Sequence, residues 1–125
     1  MINKEIGNFG EMAVCKYLEK YGYTVLKRNY RIRGGEIDII AYNSEIIAFV
    51  EVKTRKKGSM VSGFEAVNDR KKGLIIKTAS DFCCKNPTEL QPRFDVAEVI
   101  VVNNRIEKIN YISNAFDATG YDIFF

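Results

Sequence analysis

This chain of 125 residues contains no histidine. That absence removes Ser-His and Cys-His nucleophilic catalysis, histidine-dependent nucleases and ordinary zinc sites. Any catalysis has to run on carboxylates, lysine, tyrosine or a hard metal ion. Cysteine is scarce too: Cys15, Cys83 and Cys84 are odd in number and fit no metal-ligand or redox spacing, which reads as three reduced thiols. No apolar run approaches the roughly 20 residues a membrane-spanning helix needs, and "MINKEIGNFGE" lacks the apolar stretch of a signal peptide. These absences predict a cytoplasmic protein with no membrane partner.

What is present is an ordinary globular composition, 46% hydrophobic and 28% charged, which excludes disorder as the main state. The length suits one domain over residues 1–125 and is too short for a second core. Charge is uneven: residues 1–77 carry 15 Lys/Arg against 9 Asp/Glu, and residues 78–125 carry 4 against 7, which together give the net charge of +3. The basic residues cluster as Lys27-Arg28, Arg31 and Arg33, then Lys53 to Lys57, then Arg70 to Lys72. Clusters of this kind suit a polyanion partner, and equally the solvated faces of a soluble protein.

Ile6, Phe9, Ala13, Tyr17 and Tyr21 recur at helical spacing before Gly22, so residues from about 4 to 21 form an amphipathic helix. Tyr23 to Arg31 reads as a first strand, turned by Gly34-Gly35 into strands over Glu36 to Tyr42 and Ile46 to Arg55. Gly58 to Gly63 reads as a flexible loop. Asn68 can cap a second helix with Leu74, Ile75, Thr78, Ala79 and Phe82 on its buried stripe and Pro87 beyond its end. "FDVAEVIVV" from Phe94 is a strand covered on both faces, followed by an Asn103-Asn104 turn and a last strand. The order is helix, three strands, helix, two strands. The aromatic tail "YDIFF" is either a final packing segment or the contact of a homodimer.

Within "RGGEIDIIAYNSEIIAFVEVKTR", Arg33 to Arg55, every second side chain shares a face, so Ile47, Phe49, Glu51 and Lys53 point one way and Ala48, Val50 and Val52 the other. A turn at Asn43-Ser44 pairs Tyr42 with Glu45 and sets Asp38 opposite Phe49 and Glu36 opposite Glu51. Asp38 then lies diagonally from Glu51 on one face, roughly 7 Å away between backbones. Like charges so placed repel unless something positive sits between them. Mg²⁺ prefers carboxylate and water oxygens and commonly takes one or two protein carboxylates, leaving positions for a phosphate and a water. Such an ion acidifies the water and neutralises charge developing on a phosphodiester, and a lysine two residues from a ligand can position or deprotonate that water. Asp38, Glu51 and Lys53 thus make a minimal phosphodiesterase site, with Asp38 and Glu51 as ligands of Mg²⁺ or Mn²⁺. On these residues alone Glu51 and Lys53 also read as a surface ion pair worth under about 1 kcal/mol.

"GEID" followed by "FVEVKTR" resembles the metal-binding core of the restriction-endonuclease-like, or PD-(D/E)xK, superfamily. Over nearly its whole length the chain resembles the YraN/UPF0102 family: "GNFGEMAVCKYLEKYGY", "RNYR", "GEIDIIA", "FVEVKTR", "EAVNDRKK" and "RFDV" follow one another in that family's order. The family is described as predicted nucleases similar to Holliday-junction resolvases. The resemblance implies a three-layer α/β fold, a central mixed sheet of about five strands flanked by helices. It also implies Asp38, Glu51 and Lys53 as the core site, with Glu11 on the first helix as an accessory acid, though Glu11 also reads as a solvated or helix-pairing acid; Glu36 is a second candidate accessory acid. Ile37 stands where the superfamily pattern has proline, and Tyr111 where a histidine is expected before "NAF".

The expected function is Mg²⁺-dependent hydrolysis of phosphodiester bonds in DNA, with branched or structured DNA as the substrate the resemblance suggests. Arg31, Arg33, Arg55, Lys56, Lys57, Arg70, Lys71 and Lys72 are the expected nucleic-acid-binding residues. The alternative from another class is a noncatalytic nucleic-acid-binding module that keeps the fold. Asp95 in "RFDV" reads as a structural partner of Arg93 or as a support for the site.

Overall fold

Val14 and Leu18 lie one turn apart on the first helix and are buried to 0% and 1% exposure. They and the buried Gly10 define the inner face of α1 (Lys4–Lys20). The sequence periodicity placed that face about one residue away, on Phe9, Ala13, Tyr17 and Tyr21, yet Phe9 and Tyr21 are among the most exposed apolar side chains. The reason is Gly10. A Cβ there would stand 2.8 Å from Thr54 Oγ1 and 3.7 Å from Val99, so the helix makes its close approach at the residue without a side chain and turns Phe9 outward.

The computed structural model describes residues 4–58 and 67–121. After α1 come β1 (Thr24–Ile32), β2 (Gly35–Tyr42) and β3 (Ile46–Lys56), then α2 (Asp69–Lys85), β4 (Gln91–Val102) and β5 (Arg105–Phe116). The sheet order is β1-β2-β3-β4-β5. All neighbours are antiparallel except β3 and β4, which run parallel because α2 carries the chain back across one face. Asn68 caps α2 as expected, its side chain accepting from Lys71 N at 3.0 Å. Asn103 and Asn104 both adopt positive φ, the conformation a two-residue hairpin turn requires, and close β4 onto β5.

The helices cover opposite faces, giving three layers. Val14 and Leu18 of α1 pack with Ile39, Ala41, Ala48, Val50, Ala97 and Val99. Ile75, Ile76, Ala79 and Phe82 of α2 pack with Ile40, Ile47, Phe49, Phe94 and Val96. Fully burying the Val, Leu, Ile and Phe side chains among these contributes about 1.5–3 kcal/mol each. Leu74, expected on the buried stripe, is half-buried, and Ile76 takes its place. Gly35 fixes how closely α2 sits: a Cβ there would meet Thr78 Oγ1 at 2.1 Å and the Leu74 carbonyl at 3.3 Å. Among the described residues no helix is long and apolar enough to cross a membrane. Residues 59–63 of the expected loop and 122–125 of the aromatic tail lie outside the described residues.

The register of β2 on β3 also differs from the expected one. Tyr42 pairs with Ile47 and Ile39 with Val50, two residues from the register a turn at Asn43-Ser44 would impose. Asn43 is the cause. Its Oδ1 accepts from Glu45 N at 2.9 Å and Ile46 N at 2.8 Å, and its own N donates to Ile46 O, so the loop is Ser44-Glu45. A slip of two preserves every side chain's face, where a slip of one would reverse it.

Candidate functional site

Continuing the observed register by one residue sets Asp38 directly across from Glu51 instead of diagonal to it. The backbone pairing of β2 with β3 stops at Ile39 and Val50, and at the next position the Asp38 carboxylate takes over: its Oδ2 accepts from Val52 N at 2.8 Å. Glu51, 4% exposed, shares the α2 face with Phe49 and Lys53. Lys53 Nζ lies 3.2 Å from Glu51 Oε1, and Lys71 Nζ, reaching across from the first turn of α2, lies 2.8 Å from the same oxygen. Asp38, Glu51 and Lys71 line a cleft of about 360 Å³, with Arg31 and Glu36 on its wall beside the Gly34-Gly35 turn.

The electrostatics follow from that crowding. Burial first, then the Glu51 charge opposite, pushes the Asp38 carboxyl up to about 7, against the partial offset of the Val52 hydrogen bond. Burial, then the neighbouring Lys71, pulls Lys53 below the usual lysine range. Burial pulls Lys71 down as well, but its hydrogen bonds, led by that to Glu51, outweigh burial and leave it raised. Two ammonium groups meet on one carboxylate oxygen.

Asp38 and Glu51 offer hard oxygen donors, the kind a divalent ion such as Mg²⁺ takes. Among the described residues no three acidic or cysteine side chains gather into a metal-holding cluster, and the pair Asp38 and Glu51 is the number of protein carboxylates Mg²⁺ commonly takes. A cation between them relieves the repulsion that raises Asp38.

The remaining expected residues are spread differently. Glu11 pairs with Arg28 at 3.3 Å from α1, on the far side of the sheet, and reaches Asp38 only as a minor charge effect. Glu36 pairs with Arg31 at 3.3 Å on the cleft wall. The run Arg70 to Lys72 divides around the helix: Arg70 is exposed, Lys71 enters the site, and Lys72 lies over the Phe116 ring and 4.0 Å from Asp69. Arg55 is held by the buried Glu98 at 3.1 Å, Lys57 pairs with Glu107 at 3.2 Å, and Arg33 and Lys56 are exposed. Lys71 is the site member that sequence reasoning placed elsewhere, in a surface basic cluster. Its one available signal was its position three residues past the capping Asn68.

Asp95 does not support this site. It is fully buried and binds Arg93 Nε and Nη2, each at 2.9 Å, Asn114 N at 2.9 Å and the Tyr111 hydroxyl. Tyr111 and Tyr23, which also binds Arg93, pack in the core beneath α1, on the other face of the sheet. All three cysteines are free thiols.

Known proteins similar to this chain share most of its length. The family described as "Uncharacterised protein family UPF0102" matches residues 10–99. A UPF0102 protein of Alkaliphilus metalliredigens is 47% identical over 116 residues, covering 92% of this chain and 100% of the relative. One from Clostridium acetobutylicum is 45% identical, covering 92% and 96%, and one from Caldanaerobacter subterraneus is 40% identical, covering 90% and 95%. With Asp38, Glu51, Lys53 and Lys71 all inside the matched segment, the chain belongs to the UPF0102 family.

Proposed function

We propose that the protein is a metal-dependent nuclease that hydrolyses phosphodiester bonds in DNA, with branched or structured DNA as its substrate. The observation that carries this reading is the pair of facing carboxylates, Asp38 and Glu51, lining one cleft, with Lys53 against Glu51. A surface built only to recognise nucleic acid gains nothing from gathering negative charge where the phosphates approach. Asp38 and Glu51 would hold Mg²⁺ or Mn²⁺, which when bound supplies an acidified water and offsets charge on the phosphate. Lys53, held as an ammonium beside Glu51, orients that water and offsets charge developing on the phosphate. Arg31 on the cleft wall pairs with Glu36 through an exposed contact, so it can turn to a backbone phosphate at little cost.

The test is cleavage of linear, single-stranded, flapped and four-way DNA with Mg²⁺ or Mn²⁺. Glu51→Gln keeps the shape, removes one charge, and is expected to lower cleavage by about 100-fold or more, while metal-free DNA affinity holds. No cleavage of any of the four forms, together with no divalent-ion binding that Glu51→Gln removes, would leave the noncatalytic binding module as the better account.

A further inference from the structure

Two lysines end on one oxygen in this cleft. Lys53 reaches Glu51 Oε1 from two residues along the same strand, so it cannot leave the neighbourhood of Glu51. Lys71 reaches the same oxygen from α2. Its backbone is fixed where Asn68 Oδ1 accepts its N–H at 3.0 Å, and its side chain spans from helix to sheet. It is the more exposed of the two, 37% against 24%, and it lines the cleft. Both ammonium groups lean on one carboxylate oxygen, and the freer of the two is Lys71. With Asp38 and Glu51 sharing a divalent ion, an ammonium on the Glu51 oxygen meets a like charge at short range. A lysine released there points into the open cleft as a mobile point charge, the form in which lysine binds phosphate.

We infer that Lys71 is an exchangeable counter-cation: it occupies Glu51 while no divalent ion is bound, and turns to a phosphate oxygen of the nucleic acid when one is. The inference rests on the nuclease reading and adds to it a phosphate-binding residue from α2. It predicts that Lys71 and the ion compete, so removing the lysine charge helps the metal and harms the DNA.

Calorimetric titration of Mn²⁺ without DNA tests the competition. Lys71→Met is expected to bind Mn²⁺ about tenfold more tightly than the unmodified protein, within the ordinary range for coupled ligands, while Lys71→Arg stays near it. With Ca²⁺ in place of Mn²⁺, Lys71→Met is expected to bind four-way DNA more weakly. Equal or weaker Mn²⁺ binding by Lys71→Met overturns the exchange. The unmodified protein supplies a second measurement that needs no variant to fold: acetylation of lysines read by mass spectrometry. Labelling of Lys71 should rise on adding Ca²⁺ and fall when DNA follows, and labelling indifferent to both overturns the proposal. If the unmodified protein binds no divalent ion, the nuclease reading fails and this inference with it. If it binds the ion and Lys71 does not respond, only this inference fails.

Discussion

Asp38 and Asp95 belong to the same sheet and have opposite electrostatic fates. Asp95, beneath α1, receives four hydrogen bonds, two on each oxygen, from Arg93 Nε and Nη2, Tyr111 and Asn114. Among the described residues Asp38, on the α2 side, receives the single N–H of Val52 and faces the Glu51 carboxylate. A buried carboxylate surrounded by donors is complete, and a ligand could only displace what it has. A carboxylate with one donor and a like charge opposite is held in place by the fold at a cost that a cation removes. The difference separates a structural acid from a candidate ligand without reference to any family.

The largest effect that tests this contrast is expected at Asp95. Asp95→Asn leaves the Arg93 guanidinium, mostly buried, without its counter-charge and turns an amide N–H₂ toward donors. Denaturant unfolding should show a loss of about 3–5 kcal/mol, the usual cost of breaking a buried pair by removing one member. Should Asp95→Asn cost no more than Asp38→Asn, the contrast between the two acids is lost.

Asp38→Asn is expected to act in the other direction, and only at higher pH. A group whose folded value is raised above its unfolded one contributes stability below the unfolded value and loses it as pH rises through the folded value. Asp38 goes from an ordinary 3.8 up to about 7, so the metal-free protein should lose stability between about pH 4 and pH 7. Asparagine does not titrate and still accepts from Val52 N. At pH 8 the metal-free variant is expected to be more stable than the unmodified protein by about 2 kcal/mol, after discounting the full shift because Asp38 is only partly buried. Mn²⁺ should then stabilise the unmodified protein and not the variant. A flat pH profile for the unmodified protein between pH 4 and pH 7 would remove the electrostatic strain assigned to Asp38.

Much of this architecture was legible in the residues. Apolar alternation in β3 told its two faces apart, Asn68 announced α2, and Asn103-Asn104 announced the last hairpin, because each of these signals is local. The failures share a cause as well. The β2–β3 register slipped by two because period-two alternation is blind to even shifts, and the deciding contact was the Asn43 side chain bonding its own turn. The inner face of α1 was misplaced because glycine at position 10 counts as neutral in a hydrophobic pattern and yet marks the closest approach to β3. The pairing of Asp38, Glu51 and Lys53 survived the slip because it depended on face and not on distance. Lys71 joins them only through the crossing of α2 over the sheet, a tertiary fact with no periodicity to betray it, and Asp95 likewise draws Tyr111 and Asn114 from β5.

The smallest expected effect sharpens the contrast from the structural side. Tyr111 occupies the position where a histidine was expected, and it acts there as a donor to Asp95, its own hydroxyl raised far above the ordinary tyrosine range by burial and by that carboxylate. Tyr111→Phe keeps the ring stacked on Tyr17, at 5.3 Å between centroids, and removes one of the four donors. Arg93 and Asn114 still hold Asp95, so unfolding free energy should fall by about 1.5 kcal/mol, the low end of the range for a hydrogen bond to a charged group. Because Tyr111 lies on the α1 side, Mn²⁺ affinity and any DNA cleavage should match those of the unmodified protein at a temperature where both are folded. A change in Mn²⁺ affinity of more than a few-fold, with the fold intact by circular dichroism, would mean that the two faces are coupled through the sheet, and the division between a structural acid and a ligand acid would have to be withdrawn.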